Sequence, residues 1–358
     1  MNPESPSPKS PDKVSDAAQS ASSPILQRIR AVIGRVLSNQ TMFMFIILLV
    51  MMFGFSRLSP YFLTKDNLLQ VTIQAAVICM LGAGQTFVIL TAGIDLGVGS
   101  VLALVTVVSA IVMEEWAGLS RTAVLIPGQQ GAGLIPGLLA GVAVGTACGL
   151  ANGVFVGKLR IPPFVATLGM MGIARGLALI VTEGIPRFRL APGADFPGQG
   201  HILGLPVPTI SVFILYAVCY VILTRTKLGR YTYAIGSNPQ ATLLSGINVS
   251  KYIIIVYTIS GITAALAGLT EMSRIGSGQP AGGMGYELDS IAAVVLGGTS
   301  LMGGEGTILG TLIGALIIAS LRNGLNILNL YAFWQQVAIG VIIILAVFAD
   351  QVRRGRSA

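Results

Sequence analysis

The sequence predicts an all-α polytopic membrane protein with about ten transmembrane helices, and three observations carry that expectation. Charged residues make up only 10% of the 358, hydrophobic residues make up 53%, and mean hydropathy is +0.80. A soluble domain carries about 25% charged residues, so this chain cannot build a water-solvated surface. The uncharged residues fall into runs that reach or approach the roughly 20 needed for a crossing helix. The basic residues collect on alternate connections between those runs. The same composition excludes disorder over most of the length. Glycine is abundant, 45 residues, but shows no G-X-Y period, so collagen is excluded. Many Gly and Ala with few aromatics suit helices whose backbones approach closely in a bilayer.

Residues 1–24 hold five Pro and seven Ser among few apolar residues, and are expected to form a disordered cytoplasmic tail. Residues 25–38 place apolar side chains at helical spacing around Arg28, Arg30 and Arg35. They are either a basic amphipathic helix on the inner leaflet or an extension of the first span. The membrane domain is then 39–350, followed by a basic cytoplasmic tail, 351–358. Seven uncharged runs within it set spans: Val36–Ser56, Asn67–Ile94, Leu96–Met113, Thr122–Gly157, Ile202–Thr224, Tyr252–Thr270 and Asn323–Ala349. Three shorter runs complete the count: Ile161–Ala174, which becomes a full span if Arg175 is tolerated inside, Ser290–Gly304, and Gly306–Leu321.

With ten spans both termini share one side. That side collects 14 of the 22 Lys and Arg, among them Lys158, Arg160, Arg225, Lys227, Arg230 and Lys251, with no Asp or Glu in 158–160 or 225–251. The positive-inside rule makes it the cytoplasmic face. The other side gathers Asp66, Glu114, Glu115, Glu183, Asp195, Glu287 and Asp289.

Four segments carry polar chemistry. Around Asp95, the glycines Gly93, Gly97 and Gly99 permit a broken helix, tolerated at membrane depth only inside protein or beside water. Asp95 either caps the next helix or lines a polar pathway. After the basic loop 158–160, Pro162-Pro163 starts a helix. Arg175, further along that helix, snorkels or pairs with a carboxylate or a helix C-terminus. In the longest cytoplasmic loop, 225–251, Asn238 and Pro239 read as an N-cap and first helical residue. A short helix runs on through Gln240 to Ser245, with Gly246 as its left-handed stop. Ala241, Leu244 and Ile247 make one apolar stripe, suited either to a partner's groove or to the protein's own bundle. In 288–307, Gly pairs bracket two short apolar runs around Thr299 and Glu305. With the Asp95 segment, this makes one interrupted segment per half, the mark of a weak internal repeat around a central pathway.

Other chemistry finds no support. No GxxxxGK[ST] occurs, so ATP is not expected on this chain, and no HExxH, GxSxG or GxGxxG is evident. Cys79, Cys148 and Cys219 stand far apart in apolar stretches, and His201 is the only histidine. No catalytic, cofactor-binding or metal residue is expected, and nothing interleaves basic and aromatic residues as nucleic-acid binding would require.

Taken in order, these segments resemble the permease subunit of ribose-type ABC sugar importers, within the monosaccharide and branched-chain amino acid permease superfamily. The stretches that carry the resemblance are 92–100 (AGIDLGVGS), 151–153 (ANG), 161–171 (IPPFVATLGMM), 228–231 (LGRY), 245–247 (SGI) and 295–300 (VLGGTS), within about 40 to 350. The chain departs from the family in Asn238-Pro239-Gln240-Ala241, which lacks the acid many members carry near the start of this segment, and at Ala92, where a second Gly is usual. The resemblance implies a ten-helix, type II-like permease in a bacterial inner membrane. It implies pairing with a second permease copy or a paralogue, a cytoplasmic ATPase that binds the ATP, and a docked periplasmic sugar-binding protein. Residues 238–247 would be the coupling helix. The pathway candidates are Gln85, Thr86, Asp95, Asn152 and Thr299, each equally able to serve as a helix-packing hydrogen bonder. Alternatives are an ion-coupled secondary transporter, a passive solute channel and, among importers, a branched-chain amino acid permease.

Overall fold

The computed structural model describes residues 40–116, 133–331, 333–341 and 344. The expected tail 1–24, the amphipathic segment 25–38 and the tail 351–358 lie outside the described residues. In chain order the helices are α1 (Gln40–Leu58), α2 (Lys65–Leu90), α3 (Val98–Trp116), α4 (Leu134–Gly157), α5 (Pro163–Thr182), α6 (Phe196–Gln199), α7 (Val207–Arg225), α8 (Lys227–Ser237), α9 (Pro239–Leu244), α10 (Val249–Ile275), α11 (Tyr286–Leu296) and α12 (Ile308–Ile327). A two-stranded hairpin, β1 (His201–Ile202) with β2 (Leu205–Pro206), pairs His201 with Pro206 and Ile202 with Leu205. Among the described residues, eight helices are long and apolar enough to cross a membrane: α1–α5, α7, α10 and α12.

Two further stretches bring the count close to the expected ten. Residues 333–341 are again helical. The run Ser290–Gly304 is not one helix: α11 has 11 residues, about 16 Å of rise, and stops at Leu296. The chain then turns through Gly298, Gly303, Gly304 and Gly306, all at positive φ. Other boundaries shift by a few residues. The hairpin replaces the expected start of the sixth run, so α7 begins at Val207. α12 takes over Asn323–Ile327 from the last run.

Helix starts follow local chemistry. Thr64, Thr226, Asn238, Asn248 and Thr307 each accept a hydrogen bond from the backbone N–H three residues on, the N-cap arrangement. Pro162-Pro163 opens α5, and Glu183 in the left-handed region closes it.

α2 is the axis of the bundle. It is buried almost throughout from Ala75 to Leu90 and packs on α7, α10, α11 and α12. α1, equally apolar, is mostly exposed and leans on α12. Polar contacts pin the bundle. Asn67 and Asn323 exchange amide hydrogen bonds at 3.0 and 2.9 Å. The Thr86 and Thr311 hydroxyls meet at 2.7 Å, Tyr216 donates to the Cys79 carbonyl, and Ser109 to the Gly137 carbonyl. Where side chains vanish, backbones touch. Gly145, Gly149, Gly153 and Gly157 of α4 lie one turn apart against α10, and a β-carbon on Gly149 would stand 2.5 Å from the Tyr257 carbonyl oxygen.

Candidate coupling face and translocation pathway

The loop expected over 225–251 is largely helical. α8 follows α7 after one residue, Thr226, whose hydroxyl accepts from Gly229. It lays Gly229, Thr232 and Ile235 against the bundle. Gly236 fits where a β-carbon would collide with the Leu90 carbonyl and the Gly304 amide. Tyr233 donates to the Gly306 carbonyl at 2.8 Å, and burial pushes its hydroxyl pKa up, so it stays a neutral donor. The basic, sequence-adjacent end of the bundle is thus bolted to the α2 terminus and to the Gly-rich turn.

α9 stands off from that bolt. Asn238 Oδ1 accepts from the Ala241 amide at 2.9 Å, Pro239 is the first helical residue, and Gly246 leaves the helix at φ +81°. Thr242 is its only buried residue. Leu244 is 88% exposed and Leu243 59%, so the apolar side of α9 is uncovered by its own bundle. The stripe differs from the expected one: Ala241 and Leu244 are exposed, Ile247 is half-buried, and Leu243 joins the apolar surface. Beside α9 lies a groove of about 630 Å³ bordered by Val156, Arg160, Gln240, Leu243, Ile247 and Ile253. α9 is thus a six-residue capped helix with a bare leucine pair, next to a groove that Arg160 borders.

The five pathway candidates are all buried. Thr86 is spent on Thr311 and on the Gly82 carbonyl. Gln85 on α2, Asn152 on α4 and Thr299 in the Gly-rich turn each keep a buried side-chain N or O without a hydrogen-bond partner. Such an atom costs about 1–3 kcal/mol, and can be satisfied by a passing hydroxyl or water. None of the five borders the groove beside α9.

Asp95 is not the N-cap of α3, which starts three residues later at Val98. It sits in the unwound stretch 91–97, 3% exposed. Its Oδ1 accepts from the Gly97 amide and its Oδ2 from the Ser260 hydroxyl, both at 2.9 Å. That stretch is held from several sides. Thr167 of α5 donates to the Ile94 carbonyl, and the Gly304 amide donates to the Leu90 carbonyl. Among the described residues Arg175 makes no ion pair: its Nη1 donates to the carbonyls of Pro280 and Gly282 in the α10–α11 connection, at 2.8 and 2.7 Å. A charged donor can serve several carbonyls at once, which lets a connection without secondary structure keep its shape.

Sequence reasoning missed Ser260 and Tyr257, although polar residues at i and i+3 inside an apolar helix are a readable signal. It also missed the ion pairs Arg322–Asp289 and Arg187–Glu114, whose partners come from distant segments, and Arg274–Glu271, whose i,i+3 spacing was readable.

Comparison with known proteins follows from this geometry. The profile of the family described as branched-chain amino acid transport system / permease component matches residues 67–347. The ribose import permease protein of Haemophilus influenzae is 44% identical over 324 residues, covering 89% of this chain and 94% of that protein. That of Bacillus subtilis is 44% identical over 311 residues, 86% of this chain and 91% of that one. The D-allose transport system permease protein of Escherichia coli is 38% identical over 314 residues, 86% and 90%. No solved structure matches. The extent of the profile match and the near full-length identity make the chain a multi-pass membrane protein of the branched-chain amino acid transport system / permease component family.

Proposed function

We propose that this chain is the membrane subunit of an ATP-driven importer and passes a monosaccharide, with ribose the first solute to test. One observation carries the reading: 44% identity over nearly the whole chain to ribose import permeases of both Haemophilus influenzae and Bacillus subtilis. The D-allose relative and a fructose import permease of Rhizobium meliloti, 38% identical, widen the class to monosaccharides rather than to amino acids.

The geometry supports a division of labour. The chain carries no P-loop, so energy enters from a separate cytoplasmic ATPase. The exposed leucine pair of α9 is the natural grip. α9 leads through Gly246 and the Asn248 cap into α10, so a push on α9 is delivered to the middle of the bundle. A binding protein on the opposite face delivers the sugar, which spares this chain a tight site. The few orphaned polar atoms at Gln85, Asn152 and Thr299 agree with weak, transient contacts. Lys158, Arg160, Arg225, Lys227, Arg230 and Lys251 share the α9 end, which supports an inner-membrane protein with both termini cytoplasmic. A second permease copy, identical or paralogous, completes the pathway. Ion coupling is less favoured, since the described buried carboxylates are engaged: Asp95 by Ser260 and Gly97, Glu271 by Arg274, and Asp289 by Arg322.

The test is a mild-detergent pull-down of the tagged chain from its host, followed by reconstitution of whatever accompanies it. A co-purifying P-loop subunit, and ribose uptake that needs ATP and is not competed by leucine, are the expected results. A chain that is folded, comes down alone and drives uptake on an ion gradient would overturn the reading.

A further inference from the structure

We propose that Asp95 is a switching acceptor: the Ser260 hydroxyl holds it in the state seen here, and the Tyr257 hydroxyl replaces Ser260 when α10 shifts. The transport role given to this switch rests on the importer reading above; the switch itself does not.

Four observations meet at this point. Asp95 is buried and has no Arg or Lys partner among the described residues, so its stability depends on hydroxyl and amide donors. Ser260 fills one place at 2.9 Å. Tyr257 lies one turn earlier on the same face of α10, and is 1% exposed, yet its hydroxyl has no hydrogen-bond partner. That hydroxyl lies beside Gly93, two residues before Asp95, where a β-carbon would stand 2.6 Å from it. A buried tyrosine hydroxyl normally finds a partner. Here Asp95, an acceptor of the same stretch, is already taken by the hydroxyl three residues on.

The fold also gives α10 freedom to move between the two. Along α4, Gly145, Gly149, Gly153 and Gly157 present bare backbone to α10, and Gly261 of α10 answers with none of its own. The side chains that face these glycines across the seam are apolar, Ala265 at Gly145 and Ile253 and Ile254 at Gly157. The α-carbons of Tyr257 and Ser260 lie three residues, about 4.5 Å, apart along the helix, less than one turn. A shift of that size is within the range of packed helices that slide between two arrangements. The push has a direct route, because α10 begins three residues after Gly246, just past the end of the exposed α9. The other end of the switch is the stretch 91–97, tied to α5 by Thr167 and to the Gly-rich turn through Gly304. Exchanging donors on Asp95 would therefore re-register α10 against three elements at once.

The proposal is tested on the purified chain in detergent, without ATPase or sugar, by a double-mutant cycle of Ser260→Ala and Tyr257→Phe read by thermal melting. Each substitution removes one hydroxyl and little else. If the donors can exchange, Tyr257 rescues Ser260→Ala, both single variants melt close to the parent, and the double variant falls by more than their sum. If Asp95 has only its present donor, Ser260→Ala carries the whole loss and Tyr257→Phe adds nothing to it, which overturns the proposal. The second readout is uptake in cells carrying the complete transport system. Tyr257→Phe, which breaks no bond in the present state, is expected to slow uptake at least tenfold with unchanged melting. Full-rate uptake by Tyr257→Phe would overturn the switch while leaving the importer reading intact. Absence of ATP-dependent uptake by the parent chain would count against the importer reading alone, since the melting cycle stands without it.

Discussion

α4 and α5 carry the same sequence signal and put it to opposite uses. Both are apolar helices with glycines on one face: Gly145, Gly149, Gly153 and Gly157 on α4, and Gly169, Gly172 and Gly176 on α5. On α4 every one of the four touches the backbone or side chains of α10 closely enough that a β-carbon would collide. On α5 the three open onto empty space, and no atom lies within 4 Å of where a β-carbon would stand. A glycine stripe in a membrane helix is therefore a licence for close approach, and only the surroundings say whether a neighbour has taken it.

Substitutions that fill these spaces break or sharpen the contrast. The largest effect is expected from Gly149→Val, whose branched side chain must enter the backbone of α10 at Tyr257 and Gly261. We expect a loss of about 3 kcal/mol, seen as aggregation in size-exclusion chromatography or a collapse of the melting temperature. A well-behaved, parent-like protein would mean that the seam is looser than drawn. Gly236→Ala comes next, since its methyl group meets the Leu90 carbonyl and the Gly304 amide. A cost of about 2 kcal/mol is expected, because α8 must lift away from the α2 terminus. Hydrogen exchange should then rise in both segments, and a change confined to α8 would show that the bolt is not shared.

Gly246→Ala separates conformation from space. Nothing crowds this position, but its φ of +81° suits glycine alone. The expected loss is about 1 kcal/mol, with the global fold intact. Because the strain falls on the end of α9, capture of the ATPase in the pull-down should weaken more than melting does. Equal loss in both would argue against α9 as the grip. The smallest effect belongs to Gly172→Ala. In open space the methyl group improves helix propensity, and a gain of up to about 1 kcal/mol is expected in detergent. If the variant instead lowers the assembly size of the complex, α5 meets a second copy through this face.

Much of the architecture was legible in the sequence. Runs of uncharged residues located the crossing helices, since a bilayer admits no other way to satisfy a backbone over 20 residues. Asn238-Pro239 and Gly246 framed the α9 helix to within a residue, because capping is local chemistry. The failures share a cause. Ser290–Gly304 was counted as a span from its composition, and the glycines that end it at Leu296 act through positive φ angles that only a neighbouring backbone requires. For Asp95 the local sequence leaves a cap and a pathway role open; it does not cap α3, and its second oxygen belongs to Ser260, 165 residues away.

By itself, the sequence determined that this is a membrane protein, which end of it is basic, and where a short exposed helix starts and stops. These properties depend on composition and on contacts within a few residues. Tertiary structure alone decided which glycine stripe is a seam, that Arg175 holds the carbonyls of Pro280 and Gly282, and that the Tyr257 hydroxyl is buried beside Gly93 without a hydrogen-bond partner. Each of these depends on what a distant helix brings within a few ångströms, and in a close-packed interior that is set by the fit of all the helices together.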